Sequence, residues 1–325
     1  MSDHDALRRR SHTCRLLGHL YRDGLTPPLV HALQKEPALA EALPAPFDED
    51  ERAADYQHLF GFNVFPYAGV FLDPAGLLNG PVADRVRQYF LRAGCPLPMS
   101  GESLDHLGHE LAWLAHMMQA EAEALQDGIP AEVRRVRRIQ RRFLDEHLLG
   151  WLPAFVRAVE EHPFPFFQHL ARQTLHLVLE HRRALAGAVA GSLHLPEPPP
   201  LLDDPATGLH DIAGYLATPP WSGLFLSRDA IGTLARALDL PRGFGDRRRM
   251  LANLLQTAAA YDRLTDLTGL LTEHLAAWKT RFTTLHEPDL PALTAACQRW
   301  TERLDTTARL LERLAEAAPP GAPTS

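Results

Sequence analysis

Four stretches of this sequence repeat bulky apolar residues every three or four positions, and no stretch alternates with the period of two that a half-buried strand requires. Leu104, Leu107, Leu111 and Leu114 form one stripe, with Gly108 and Ala115 as its smaller members. Val133, Val136, Ile139, Phe143, His147 and Trp151 form a second. Leu170, Leu175, Leu177, Val178 and Leu185 mark a third, and Leu264, Leu267, Leu271, Leu275 and Trp278 a fourth. A chain patterned this way buries helix against helix, so the expected fold class is all-α.

Proline punctuates the pattern once decisively. Leu195-Pro196-Glu197-Pro198-Pro199-Pro200, followed by Asp203-Asp204-Pro205, removes backbone donors and fixes φ, so no helix crosses it. The expected organisation is a helical domain over 1–193, a Pro-rich linker over 194–208, a C-terminal helical extension over 209–316 and a disordered tail over 317–325. A second irregular stretch, residues 62–80, carries Phe65, Tyr67 and Phe71 among prolines and glycines, so it must pack on its own domain or cover a groove.

Hydrophobic residues make up 46% of the 325 and charged residues 22%, a globular balance. The net charge of -7 weighs against a nucleic-acid binder. No apolar run reaches the length a membrane helix needs, and the first ten residues are polar. Cys14, Cys95 and Cys297 stand far apart, as expected of a cytoplasmic chain without a zinc knuckle.

Two short helical segments concentrate polar chemistry. Asp105-His106-Leu107-Gly108-His109-Glu110 sets His106 and Glu110 four apart on one face, with Ser103 or Asp105 as the helix cap. Phe143-Leu144-Asp145-Glu146-His147 leads to Trp151, Pro153 and Phe155, where the proline should kink or end the helix. Neither has metal-ligand spacing: the histidines at 106 and 109 are three apart, and Glu-x-x-His is absent. Both segments also make sense as ordinary helices with a polar face. Arginines at 134, 135, 137, 138, 141 and 142 cover the helix leading into the second, most simply as a solvated face.

Residues 227–256 offer an alternative reading. Ser227 caps one helix, and a second, basic helix starts near Gly245, an outline similar to a helix-turn-helix of a DNA-binding regulator. The intervening turn is long and glycine-rich for that motif. Catalysis finds no GxSxG elbow, phosphate loop or paired cysteine and histidine, so neither an enzyme nor a cofactor is expected.

Taken in order, Tyr56-Gln57-His58-Leu59-Phe60, Phe65-Pro66-Tyr67, Asp105-His106…Glu110-Leu111 and Phe143…His147-Leu148…Trp151-Leu152-Pro153-Ala154-Phe155 resemble the TorD/DmsD/NarJ family over roughly residues 10–190. The resemblance implies a cytoplasmic all-helical chaperone, not an enzyme, that binds the apo catalytic subunit of a molybdopterin-dependent oxidoreductase. Many clients of that family carry a twin-arginine leader, held until the cofactor is inserted. Such a leader presents two guanidiniums beside an apolar stretch, so its receptor needs carboxylates next to a greasy groove. Asp105, Glu110, Asp145 and Glu146 are the candidate carboxylates. Tyr67, Phe71, Trp113, Trp151, Pro153 and Phe155 are the candidate apolar wall, and His106 and His147 would hydrogen-bond across it. The two signature helices are then expected to face each other, with loop 62–80 along one edge. The segment beyond about residue 190 is additional to the family core.

Overall fold

The computed structural model describes residues 3–98, 101–187, 193–201, 203–285 and 287–317, and the expected tail from 318 onward lies outside them. Among the described residues every regular element is helical, and the only extended pairing is an isolated bridge between Tyr67 and His106. The chain is all-α. It divides into two compact units, the first comprising 1–193 with 287–294 and the second 194–286 with 295–325.

In the first unit the helices are α1 (Asp3–Asp23), α2 (Pro27–Leu33), α3 (Pro37–Ala40), α4 (Glu49–Tyr56), α5 (Ala68–Leu72), α6 (Pro81–Ala93), α7 (Leu107–Gln126), α8 (Pro130–Phe143), α9 (Leu149–Glu160) and α10 (Pro165–Ala184). Its centre is the pair α1 and α7, the most extensive helix contact in the chain. Small residues permit it. A methyl added at Gly18 would lie 2.9 Å from the Gly108 carbonyl oxygen, so the two backbones touch. Leu17, Leu20 and Tyr21 of α1 and Leu111, Leu114 and Met118 of α7 are then buried on either side. Ser11 and Cys14 satisfy themselves by donating to the carbonyls of Ala115 and Leu111, at 2.7 and 3.3 Å.

The second apolar stripe runs through α8 and α9 without a break. Between them Leu144–Leu148 widens into a π-helical turn, and Gln57–Asn63 does the same after α4. Pro153 lies inside α9, and the helix continues to Glu160. The helix therefore does not end at this proline as expected, and the π turn lies just upstream of it.

The second unit holds α11 (Leu209–Leu216), α12 (Pro219–Ser222), α13 (Arg228–Ala237), α14 (Arg247–Ala260), α15 (Leu264–Thr284) and most of α16 (Pro291–Ala317). Its core stacks Phe282 on Trp300 with ring centres 6.1 Å apart. Tyr215 and the Ser222 carbonyl both bond to the Thr307 hydroxyl, at 3.0 and 2.7 Å. Gly223 has φ of +82°, and a side chain there would strike the backbone of Leu304. The connector Leu224-Phe225-Leu226 is buried.

Candidate functional site

A pocket of about 610 Å³ opens on the first unit where α1, the π turn after α4, loop 62–80 and the approach to α7 meet. Its walls are aromatic: Tyr56, Phe60, Phe65 and Tyr67, with Val70 and Leu78 beside them. Arg22, Gln57, Glu102 and His106 supply the polar side chains. Tyr56 is anchored by its hydroxyl, which donates to the carbonyls of Tyr21 at 2.9 Å and Arg22 at 3.1 Å. Its ring lies over Gly24, whose φ of +71° and missing side chain make room for it.

Loop 62–80 is fixed by short-range backbone chemistry. Leu107 donates to the Pro66 carbonyl at 2.8 Å, and Ala68 to the Asp105 carbonyl at 2.9 Å. The Asp105 carboxylate accepts from the Gly69 N–H at 2.8 Å and from the Ser103 hydroxyl. Ser103 in turn accepts from the Asn79 N–H at 3.2 Å. A side chain at Gly69 would lie 2.9 Å from the carboxylate, so glycine is required for this approach. Asp105 therefore tethers the loop from inside.

His106, not Ser103 or Asp105, caps α7. Its Nδ1 accepts from the Gly108 N–H at 3.0 Å, which leaves the ring proton on Nε2. Burial pushes its pKa down to about 3, with His109 and Arg22 adding repulsion, so the ring is neutral at ordinary pH. Tyr67 meets it edge to face with centres 4.9 Å apart and donates its hydroxyl to Glu102. Desolvation first, and then the hydrogen bond to Glu102, holds the Tyr67 phenol well above its ordinary value. The pocket thus pairs an exposed carboxylate with aromatic walls. Arg22, on the α1 side, is engaged by His19 at 2.9 Å.

The two signature helices do face each other. His147 Nε2 and Glu110 Oε1 are 2.6 Å apart and both residues are buried. Burial raises the Glu110 pKa, and the nearby His147 opposes that. The space between the helices is filled. Phe71, Trp151 and Phe155 form one aromatic cluster and Trp113 packs on Phe143 at 4.6 Å, all of them interior. Pro153 is buried with them. Asp145 is a buried partner of Arg182, whose guanidinium forks onto it at 2.6 and 2.7 Å. Glu146 is partly exposed and engaged by Arg142 and by the Tyr89 hydroxyl, both at 3.0 Å. Of the twelve residues singled out in the sequence, Tyr67 and His106 line the pocket. Glu102, Tyr56 and Arg22 were not among them. The spacing Glu102-x-x-Asp105-His106 was the available signal for Glu102.

The protein-family model described as the nitrate reductase delta subunit matches residues 27–157, which contain most of the pocket. A chaperone protein TorD of Vibrio cholerae serotype O1 is 33% identical over 141 residues, covering 42% of this chain and 62% of the relative. The chain is a homologue of the TorD/DmsD/NarJ-type molybdoenzyme chaperones. A TorD of a Psychrobacter species is 29% identical over 164 residues, 47% of this chain and 71% of its own length. A selenate reductase assembly chaperone protein of Thauera selenatis is 48% identical over 56 residues, 17% of this chain and 28% of its own. The chain thus spans about three fifths of the length of the Vibrio cholerae relative. The chain carries further C-terminal helices beyond the matched region. Among the described residues no helix is long and apolar enough to cross a membrane, and no group of three acidic, histidine or cysteine side chains could hold a metal ion.

The helix-turn-helix outline at 227–256 folds as two helices capped by Ser227 and Asp246, at 3.0 and 2.9 Å. Arg247, at the start of the basic helix, is spent internally: it lies 4.2 Å over the Phe225 ring and donates to the Leu226 carbonyl. Nothing in this geometry favours nucleic acid.

Proposed function

We propose that this protein is a non-catalytic, cytoplasmic maturation chaperone that binds the apo catalytic subunit of a molybdopterin-dependent oxidoreductase and assists cofactor insertion. In this reading the twin-arginine leader of the client lies in the pocket of the first unit. The observation that carries it is the pocket itself, an exposed carboxylate beside four aromatic walls inside the segment that matches the family. A leader guanidinium would displace the Tyr67 hydroxyl and fork onto Glu102, while the apolar stretch that follows packs on Phe65, Tyr56 and Leu78. Arg22, which also lines the pocket, repels a cationic leader and so sets its direction. The buried Asp105, Glu110 and Asp145 act behind the surface, shaping loop 62–80 and the helices under it.

The test is titration of a fluorescent twin-arginine leader peptide of a molybdenum oxidoreductase against the intact protein and Glu102→Gln. Losing one charged hydrogen-bond pair, about 1.5–3 kcal/mol, should weaken binding roughly ten- to hundredfold with the melting temperature unchanged. Equal affinity for the variant, or for a peptide with both arginines replaced by glutamine, would sink the pocket assignment.

A further inference from the structure

Helix α8 carries six arginines, and the structure accounts for four of them. Arg135 forks onto Glu132 at 2.8 and 2.6 Å. Arg137 donates to the buried Glu121 at 2.6 Å, and Arg141 to the Ala186 carbonyl at 2.6 Å. Arg142 pairs with Glu146 at 3.0 Å. Arg134 and Arg138 remain, exposed and without a salt-bridge partner among the described residues. They are one helical turn apart on a single face, and Arg142 continues the row by another turn. Helix α6 packs against α8 and adds the exposed Arg85 and Arg92. Tyr89 of α6 packs on Phe143 of α8 with ring centres 5.3 Å apart and donates to Glu146 at 3.0 Å, which sets the end of α6 beside the end of α8.

A face that merely meets water gains nothing from this arrangement. Like charges one turn apart destabilise a helix by a few tenths of a kcal/mol, and solvated faces ordinarily intersperse acids at that spacing. Here no acidic residue stands three or four positions from Arg134 or Arg138. The patch also runs against the molecule, whose net charge is -7.

We propose that the exposed face of α8 is a docking surface for an acidic helical segment of a partner protein. Carboxylates four residues apart on a helix match Arg134 and Arg138 in pitch, and each planar guanidinium can donate two parallel N–H bonds to a carboxylate. Ile129, 48% exposed just before the first turn of α8, adds an apolar contact at one end. Nucleic acid fits less well, because neither α6 nor α8 exposes an aromatic side chain on which a base could stack. Anionic lipid calls for an apolar ridge along the row, where α8 has arginine. This surface is separate from the leader pocket, and none of its residues lines that pocket.

The test uses the full-length protein and an alanine-based helical peptide bearing glutamate at three positions spaced by four, read by fluorescence anisotropy. The glutamate peptide should bind, a glutamine version should not, and affinity should fall as salt rises. Arg134→Glu with Arg138→Glu should weaken binding at least tenfold with an unchanged melting temperature, because both side chains are exposed. Arg309→Glu with Arg313→Glu, the same charge change on exposed positions of α16, should leave it within twofold. Equal binding of the two peptides, or equal loss in both double variants, overturns the proposal. So does binding of polyuridylate or phosphatidylglycerol vesicles in place of the peptide.

Discussion

His181 is fully buried at the centre of a chain of hydrogen bonds: Arg10 donates to its Nδ1 at 3.4 Å, and its Nε2–H donates to Gln140 at 2.8 Å. Gln140 passes the chain on to Glu121 at 2.7 Å. Burial, with Arg10 and Arg182 nearby, pushes the His181 pKa down to about 3, as burial does for His106. The sign of the consequence is fixed. Below the ordinary histidine value of about 6.5 the unfolded chain binds a proton that the folded one refuses, so stability is lost as pH falls from 6.5 toward 3. Each ring contributes about 1.4 kcal/mol per pH unit, or about 2 kcal/mol at pH 5. In urea titrations His181→Gln should lose stability at pH 7 through poorer packing, yet its further loss between pH 7 and pH 5 should be about 2 kcal/mol smaller than in the parent protein. An identical slope would mean that His181 is protonated inside the fold.

Between elements the decisive feature is how closely backbones approach. Glycine at 18 and at 108 lets α1 and α7 touch, and a side chain at 108 would meet both the Gly18 carbonyl and Arg22. Gly18→Ala should cost about 1–3 kcal/mol by overpacking, visible as a lower thermal midpoint, and a neutral result would show that the helices can part. The apolar stripes foretold which faces are interior: Leu107, Leu111, Leu114, Val133, Val136, Phe143 and Trp151 are all buried. The polar residues between them were harder to place. Asp105, Glu110 and Asp145 looked like a surface for guanidiniums, yet each is inside, matched to Gly69, His147 or Arg182. Pairing across helices is invisible to periodicity, which says which side of a helix a residue is on and not what lies opposite. The pocket itself was half legible, through loop 62–80 and His106. Glu102 escaped because it precedes the helix and belongs to no stripe.

For the molecule as a whole, each of the two compact units contains fully buried aromatic residues of its own. Trp300 is fully buried and stacks on Phe282 in the second unit. Trp300→Ala should destabilise that unit by about 3–5 kcal/mol and speed amide exchange across α15 and α16. Leader-peptide affinity should stay within twofold, because every residue lining the pocket lies in the first unit. A parallel loss of affinity would place part of the leader site in the C-terminal helices. The boundary between units is less linear than the proline run suggests. Residues 287–294 cluster with the first unit, where Glu287 and Asp289 both hold Arg183 at 2.8 Å.

The sequence by itself determined the all-α class, the positions of the buried stripes, the helix-free proline run at 195–200 and the homology to the molybdoenzyme chaperones. These are properties of spacing along one helix or one loop, so they need no partner to be read. Only the tertiary structure decided which acids face water. Glu110 and His147 are 37 residues apart in the chain and 2.6 Å apart in the fold. A carboxylate can be buried only when a second element supplies its hydrogen bond, and that element is chosen by packing. The same packing left Glu102 at the mouth of the pocket and the arginines of α8 facing outward.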